Sequence, residues 1–389
     1  MTRTRGIVGS LLLLTVVVLA VAALNGVLRD GPTRQAPSLS AASSADLTGF
    51  AQADQSRAFT FPDDHGPHPP YRSEWWYVTG NLSTDDGRSF GYQLTLFRQA
   101  LHPPDEQADR ASEWATDQVY MGHFALSDVN DGRFYDAERF ARGAAGVAGA
   151  QTSPVEIWLE DWEIGWRDDG SIAVEAHQPQ FGIDLMLNPE KPIVFQGDDG
   201  LSQKGPEAGN ASYYYSYTRL AAQGRVRVDD QGYDVTGASW LDREFSSSFL
   251  GEDQIGWDWF ALQFDNDTEL MLYRLRQREG TKSPYSSGTF VPRNAQTRAL
   301  RVNDFQLTPT AEWTSPRSGA TYPVAWRIDV PSLNATLTVE PKLRDQELSG
   351  SFLYWEGAVR VTGTMDGDPV RGEGYAELTG YADSLQGRF

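Results

Sequence analysis

After about residue 50, the chain consists of short apolar segments separated by turn-forming residues. Within the segments, hydrophobic and polar residues tend to alternate, which is the period-two pattern of a strand with one buried face. No long stretch with the helical period separates them, so parallel βαβ units are not indicated. The first set of predicted strands comprises residues 74–82, 90–97, 118–126, 155–166, 172–176 and 182–187.

A second set of strand-like segments follows residues 226–235, where we place a domain boundary. A chain of 389 residues is long enough for two or three domains of about 100 to 200 residues. We therefore predict an all-β protein with two tandem antiparallel barrels, an N-terminal domain over residues 51–235 and a C-terminal domain over residues 236–389. The second set of predicted strands comprises residues 257–264, 269–276, 324–330, 336–339 and 358–364.

The N-terminus has a different pattern. Arg3 and Arg5 precede an apolar run over residues 7–28, and acidic residues first appear at Asp30. This pattern is typical of a signal peptide, and about 20 apolar residues would also suffice for a membrane anchor. Both alternatives place the bulk of the protein outside the cytoplasm, in the periplasm or the medium, with membrane contact only through residues 1–28. Residues 29–50, rich in Pro, Ala and Ser, are predicted to be a linker.

Charge and composition restrict the possible partners and chemistry. The net charge of −20 gives a field that repels polyanions, so we expect no nucleic-acid partner. The absence of cysteine excludes disulfides, thiolate nucleophiles and Cys-ligated zinc. We expect no cofactor.

The segment DDHGPHPPYRSEWWYVTGNL, residues 63–82, contains two histidines, His65 and His68, on an irregular Gly- and Pro-rich stretch ahead of Glu74. Their separation is compatible with metal ligation. Histidines at the entry to a barrel more commonly form hydrogen bonds that satisfy buried polar groups, and we predict no metal site.

In the Trp-Trp-Tyr run of the same segment, the two tryptophans are predicted to project from opposite faces of the strand. Strand alternation places Trp75 and Tyr77 on one face and Trp76 on the other. One tryptophan must therefore face another layer or the second domain. We expect all three aromatic residues to be chiefly architectural.

The second dense stretch is SWLDREFSSSFLGEDQIGWDWFALQF, residues 239–264, where carboxylates lie among tryptophans. Partial desolvation would raise carboxylate pKa values and suit these groups to proton transfer, whereas pairing with arginine would make them structural. The serines at 246–248 lack a Gly-x-Ser-x-Gly elbow and are equally well explained by a turn. We predict a site centred on residues 239–276 in the interdomain region. The predicted catalytic residues are Asp242, Glu244, Asp258 and Tyr273. The predicted ligand-binding residues are Trp240, Arg243, Trp257, Trp259, Arg274, Arg276, His65, His68 and Glu74.

Several segments occur in the order of a known family between residues 59 and 381: DHGPHPPYRSEWWYVTGNL, SWLDREFSSS, GWDWFALQFDNDTELMLYRLR, YWEGAVRVTG and GEGYAELTGY. The chain thereby resembles the AttH-like proteins, which are bacterial exported proteins often labelled secreted hydrolases and distantly similar to carotenoid 1,2-hydratases. The resemblance implies two packed lipocalin-like barrels of the calycin type.

The resemblance also implies carboxylate chemistry. The hydratase relatives are thought to use an aspartate as proton donor, within an Asp-His-x-Trp motif and a later Tyr-x-Asp motif. Here the first reads Asp242-Arg243-Glu244-Phe245 and the second Tyr273-Arg274-Leu275, so the histidine, the tryptophan and the second aspartate are absent.

Two function classes follow. One is an exported hydrolase or hydratase that acts on a small lipophilic, isoprenoid-like substrate by acid–base chemistry. The other is a carrier that binds a hydrophobic ligand without chemistry. Carboxylates with raised pKa values in a shared pocket would favour the enzyme, and an apolar pocket without titrating groups would favour the carrier.

Overall fold

The computed structural model of the protein describes residues 47–107, 112, 114–248, 250–251 and 253–385. They form an all-β fold of two antiparallel sheets, each close to a barrel, so the predicted fold class is confirmed. Short 3₁₀ helices lie at Asp63–His65, Pro104–Glu106 and Pro331–Leu333. Within the described residues, no helix has the length and apolar character to span a membrane. The predicted signal or anchor segment lies outside the described residues, as does most of the predicted linker.

Thirteen strands of the described residues form the first sheet: β1 (Ser73–Ser83), β2 (Ser89–Ala100), β3 (Gln118–Asp128), β4 (Arg133–Arg142), β5 (Ala148–Thr152), β6 (Val155–Leu159), β7 (Trp162–Trp166), β8 (Ile172–His177), β9 (Phe181–Pro189), β10 (Val194–Phe195), β11 (Leu201–Gln203), β12 (Ala211–Val228) and β13 (Gln231–Ser246). The main strand order is β4-β3-β2-β1-β13-β12-β9-β8-β7-β6-β5. The sheet curls until β6 crosses β3, where a Cβ on Gly122 would lie 2.8 Å from Cδ2 of Leu159.

The second sheet contains ten strands of the described residues: β14 (Gln254–Phe264), β15 (Glu269–Gln277), β16 (Ser287–Val291), β17 (Arg298–Arg301), β18 (Gln306–Thr314), β19 (Thr321–Val330), β20 (Ala335–Pro341), β21 (Glu347–Ser349), β22 (Leu353–Met365) and β23 (Asp368–Leu378). Its main order is β17-β16-β15-β14-β23-β22-β20-β19-β18.

The chain passes from one sheet to the other between Ser246 and Gln254, later than the boundary predicted after residue 235. The predicted boundary falls inside β13, which pairs with both β1 and β12 of the first sheet. Residues 226–235 contain a tight turn between β12 and β13, with Asp229 at φ 52°. The predicted strand 155–166 is likewise two strands, separated by a turn with Glu160 at φ 59°. Such short turns barely interrupt the alternation of hydrophobic residues, which is why the pattern hides them.

Each sheet encloses its own core, and a third apolar cluster lies between the sheets. Trp76 is fully buried in the core of the first sheet, and Trp326 is fully buried in that of the second. Tyr77 belongs to the cluster between the sheets, and Trp75 packs against it. The prediction that the two tryptophans face different layers is therefore confirmed.

Candidate functional site

A row of polar side chains crosses the outer face of the first sheet. Directly paired residues of an antiparallel ladder project from the same face. Asp242 of β13 pairs with Tyr77 of β1, and Tyr77 pairs in turn with Thr95 of β2. The sequence of pairs continues to His123 of β3 and Glu138 of β4. We call these five residues the polar row.

A second row lies on the facing side of the second sheet. It runs from Tyr273 of β15 through Trp259 of β14 to Glu377 of β23 and Glu356 of β22. The two rows meet where Tyr77 Oη donates a hydrogen bond of 2.6 Å to Oε1 of Glu356. The site is thus built by two sheets that each contribute one face.

A cavity that opens to solvent lies between the rows. Its walls are mainly aromatic, which suits an apolar ligand, and a few polar groups converge on it. The apolar and aromatic lining consists of Trp75, Tyr77, Phe97, Tyr214, Leu250, Trp257, Trp259, Tyr273, Leu275, Phe352 and Tyr354. The remaining lining residues are Thr95, Lys204, Asp242, Glu244 and Glu377.

Asp242 is a buried carboxyl group held by three donors. Tyr214 Oη donates to its Oδ2 over 2.6 Å, while Ser216 Oγ and Trp240 Nε1 donate to its Oδ1 over 2.5 and 2.6 Å. Burial raises the pKa of Asp242 to about 7, and nearby Glu244 adds to the rise, although the three hydrogen bonds oppose it. Asp242 can therefore hold or release a proton near neutral pH.

Glu377 is a second carboxyl group of this kind on the opposite wall. Its Oε2 accepts a hydrogen bond of 2.7 Å from Trp257 Nε1. Burial raises its pKa to about 7, with further contributions from the charges of Asp242 and Glu244. The cavity therefore contains two carboxyl groups whose pKa values lie near neutral pH, one from each sheet.

Glu244 differs because a cation accompanies it. Lys204 Nζ lies 3.0 Å from its Oε1, and Ser212 Oγ donates to the same oxygen. Burial opposes the charge on Lys204, but Glu244 and Tyr273 together raise the lysine pKa. The ammonium also lies 4.4 Å from the ring centre of Tyr273. This ion pair gives the cavity a charged polar end.

The structure brings five of the predicted site residues to the cavity: Asp242, Glu244, Tyr273, Trp257 and Trp259. Trp240 does not line the cavity but holds Asp242 through its indole. The predicted span of 239–276 is therefore where much of the site lies.

Asp258, Arg274 and Arg276 lie outside the cavity lining, and this corrects their predicted place in the site. Asp258 projects from the face of β14 opposite to that of Trp257 and Trp259, as strand alternation requires. Its carboxylate accepts hydrogen bonds from Arg274 Nε at 2.8 Å and from Tyr381 Oη at 2.6 Å. Arg276 Nε lies 3.6 Å from the same carboxylate. These residues form a structural ion network.

Glu74, Arg243 and His68 also lie outside the cavity lining, contrary to prediction. Glu74 is fully buried and forms ion pairs with Arg98 and Arg243. Burial opposes its charge, but the two arginines hold the pKa of Glu74 well below its usual range. His68 contacts Glu74 and, through Nε2 at 2.9 Å, Asp64. This network ties the entry segment to the first sheet.

His65 is another predicted residue that lies outside the cavity lining and serves packing. Its ring stacks on Trp166 with centres 4.8 Å apart, and Tyr215 Oη lies 2.7 Å from its Nδ1. Burial, together with the charge of Arg243, lowers the pKa of His65 to about 3, so the imidazole is neutral.

Potential metal-ligating atoms come together elsewhere in the described residues, on β8 and β9. They belong to Glu175, His177 and Asp184, which are partly or fully exposed and lie outside the cavity. Exposed acidic groups of this kind are common without an ion, and we assign no metal to them.

Sequence reasoning missed the residues that the second sheet and the loops contribute. Tyr354 and Glu377 lie in the segments YWEGAVRVTG and GEGYAELTGY, which carried the family resemblance but were not assigned to the site. Lys204 follows the short strand β11, and no sequence pattern marks it. Trp75, which was predicted to be architectural, lines the cavity as well.

The fold and site define a class of protein, in which two β-barrels in one chain enclose an aromatic cavity with buried carboxyl groups between them. A family model described as AttH-like matches residues 52–381, and the chain belongs to this family. The chain is similar to an AttH-type protein from Nitrosomonas europaea whose crystal structure is known. The two sequences are 36% identical, and the two structures align with a TM-score of 0.76 over 85% of this chain and 100% of that one.

Two relatives are more distant. Kievitone hydratase from Nectria haematococca shares the fold, with a TM-score of 0.64 at 13% identity over 86% of this chain and 98% of that one. The dehydratase AsqC of Emericella nidulans is 20% identical over 218 residues, which is 54% of this chain and 61% of that protein. The match thus spans about three fifths of the curated relative's length.

Proposed function

We propose that this protein is a hydratase or dehydratase that adds water to, or removes water from, a lipophilic substrate in the cavity between the sheets. The observation that carries the proposal is the buried carboxyl group of Asp242, which lines a mainly aromatic cavity, is held by three hydrogen-bond donors and has a pKa that burial raises. A carboxyl group with a pKa near the working pH is suited to general acid catalysis. The hydratase and dehydratase among the relatives support the same reaction class.

In the direction of hydration, Asp242 donates its proton to one carbon of an isolated double bond, and the other carbon becomes cationic. Trp75, Trp257 and Trp259 line the same cavity, and the ring electrons of an indole can stabilise a cation. Water then adds to the cationic carbon. Dehydration of a tertiary alcohol follows the same steps in reverse.

The ion pair of Glu244 and Lys204 is proposed to bind a polar substituent at one end of the substrate. Because the ammonium neutralises the carboxylate, Glu244 is better suited to orienting a hydroxyl or carbonyl group than to removing a proton. The proposed substrate is therefore an isoprenoid-like molecule with an apolar body and one polar end.

A carrier of hydrophobic ligands would use the same aromatic walls. A carrier would not need carboxyl groups with raised pKa values. The pKa values of about 7 for Asp242 and Glu377 therefore favour the enzyme over the carrier. We further propose that the protein is exported, with residues 7–28 as a signal peptide or anchor. Cell fractionation with an antibody to the folded domain tests this location.

The hydration proposal is tested by incubating the full-length protein with geraniol, squalene and prenylated phenols in H₂¹⁸O. Mass spectrometry should find an alcohol that carries the heavy oxygen. A substrate that binds in the cavity, but is recovered without the label by the wild-type protein, would instead identify a carrier.

A further inference from the structure

His123, near the far end of the polar row, connects the two sheets. Its Nε2 lies 3.0 Å from Oε2 of Glu138, and its Nδ1 lies 2.7 Å from the hydroxyl of Tyr354 on β22. The imidazole is 1% exposed and contacts the rings of Phe97 and Phe352. Glu138, His123 and Tyr354 therefore form a continuous chain from a carboxylate to the cavity wall. We call these three residues the relay.

The ionisation of Glu138 fixes the direction of the hydrogen bonds. Burial opposes its charge, but hydrogen bonds from His123 and Ser351 lower the pKa of Glu138 below its usual range. A carboxylate only accepts, so Nε2 of His123 carries a hydrogen and donates it. In the neutral ring Nδ1 is then an acceptor, and the hydroxyl of Tyr354 donates to it.

The acidic groups around Tyr354 keep its own proton in place. Burial raises the pKa of Tyr354 well above its usual value, and Glu356, Glu377, Glu138 and Asp136 add to the rise. The phenol can therefore accept a proton only while it passes its own proton to His123. The imidazolium so formed would be stabilised by Glu138, as in other carboxylate–histidine pairs.

The other titratable groups of the cavity are less suited to activate water. Asp242 must carry the proton that it donates to the substrate, Glu377 has a pKa raised to about 7 and is therefore only partly ionised near neutral pH, and Glu244 is paired with Lys204. Tyr354, by contrast, lines the cavity and has a partner that accepts its proton.

We propose that the relay is the base that activates water in the cavity, with Tyr354 as a catalytic residue and His123 and Glu138 as positioning residues. The inference rests on the hydration proposed above. An electron pair of the water oxygen forms the bond to the cationic carbon. One water proton moves to Tyr354 Oη while the phenol proton moves to Nδ1 of His123. Asp242 ends ionised and His123 ends charged, and the proton returns to Asp242 through solvent in the open cavity.

The kinetic test uses whichever of geraniol, squalene and the prenylated phenols the wild-type protein hydrates. Tyr354→Phe and His123→Gln should each lower kcat at least about 100-fold, which is the low end for loss of a general base. KM should change by less than about threefold, since neither change removes an apolar wall.

The matched controls remove similar groups outside the cavity. Tyr322 Oη donates to Glu347 over 2.9 Å inside the second barrel, and His177 lies 3.2 Å from Asp184 on the surface. Tyr322→Phe and His177→Gln should keep kcat near that of the wild type. If Tyr354→Phe also keeps full kcat, the relay is not the base, and hydration itself still stands.

A second measurement does not depend on turnover. Nitrogen NMR of the protein with labelled histidine should find His123 protonated at Nε2 and unprotonated at Nδ1. In Tyr354→Phe the Nδ1 signal should shift, because its hydrogen-bond donor is gone. A proton on Nδ1 in the wild type would overturn the relay, because Tyr354 could not then pass its proton on. If the wild type turns over none of the substrates tested, the proposal of hydration is overturned, whatever the tautomer of His123.

Discussion

The hydroxyl of Tyr77 in the first sheet donates a hydrogen bond of 2.6 Å to Oε1 of Glu356 in the second. Both side chains are buried, and the other oxygen of Glu356 has no hydrogen-bond partner among the described residues. Burial raises the pKa of Glu356 well above its usual range, and the charge of Glu377 adds to this, although the hydrogen bond from Tyr77 opposes it. The bond therefore joins the two halves of the molecule beside the cavity.

Removal of this hydroxyl should destabilise the protein. Tyr77→Phe leaves the buried carboxyl group without the bond, and we expect the free energy of unfolding to fall by about 1–3 kcal/mol. Chemical denaturation of Tyr77→Phe, Glu356→Leu and the double variant gives the coupling between the two residues, because leucine has no acceptor for the hydroxyl. A coupling below about 0.5 kcal/mol would mean that the bond contributes little.

Trp75 and Trp76 should respond differently to truncation. Trp76 is fully buried and packs against the guanidinium of Arg243, 3.9 Å from its ring centre. Trp76→Ala should therefore cost about 3–5 kcal/mol of stability. Trp75 is only partly buried and lines the cavity, so Trp75→Ala should cost less and should weaken the binding of a hydrophobic fluorescent dye. Equal melting temperatures for the two variants would contradict this division.

The network around Glu74 should be structural. Glu74→Gln leaves Arg98 and Arg243 buried without their carboxylate, and we expect a loss of about 3–5 kcal/mol in the free energy of unfolding. Dye binding by the folded fraction should be unchanged, because Glu74 does not line the cavity. A stable variant with impaired dye binding would mean that Glu74 belongs to the binding site after all.

The raised pKa of Asp242 predicts how stability depends on pH. In the folded protein the pKa of Asp242 is about 7, whereas the ordinary pKa of this group is 3.8. The stabilisation linked to this proton is therefore fully present below pH about 4 and is lost as pH rises through about 7, a change of about 4 kcal/mol. Glu377 acts in the same direction. The unfolding free energy of Asp242→Asn, measured over this range, should decline less than that of the wild type. Parallel curves would show that Asp242 has an ordinary pKa.

The fold was largely predictable, because strand alternation is a local property that the sequence displays directly. Residues 74–82 and 90–97 correspond to β1 and β2, in which nearly every residue is buried, and their apolar and aromatic runs bounded by turn residues mark them as strands. The turns at Glu160 and Asp229 were missed because each interrupts that pattern only briefly.

The site was predictable only in part. Asp242 and Trp257 stand out as a carboxylate and an aromatic residue in one dense segment. Asp258 looked equivalent, but alternation turns it toward Arg274 and away from the cavity. Tyr354 and Glu377 could not be found from spacing, since their approach to Asp242 depends on how one sheet packs on the other.

The most direct test of the central claim compares the turnover of Asp242→Asn with that of the wild type on an alkene that the protein hydrates. Asp258→Asn is the matched control, since it removes another buried carboxylate that lies outside the cavity. We predict that Asp242→Asn lowers kcat at least about 100-fold while substrate still binds. Asp258→Asn, where it remains folded, should keep kcat within about threefold of the wild type. Full turnover by Asp242→Asn would contradict the assignment of this carboxyl group as the proton donor.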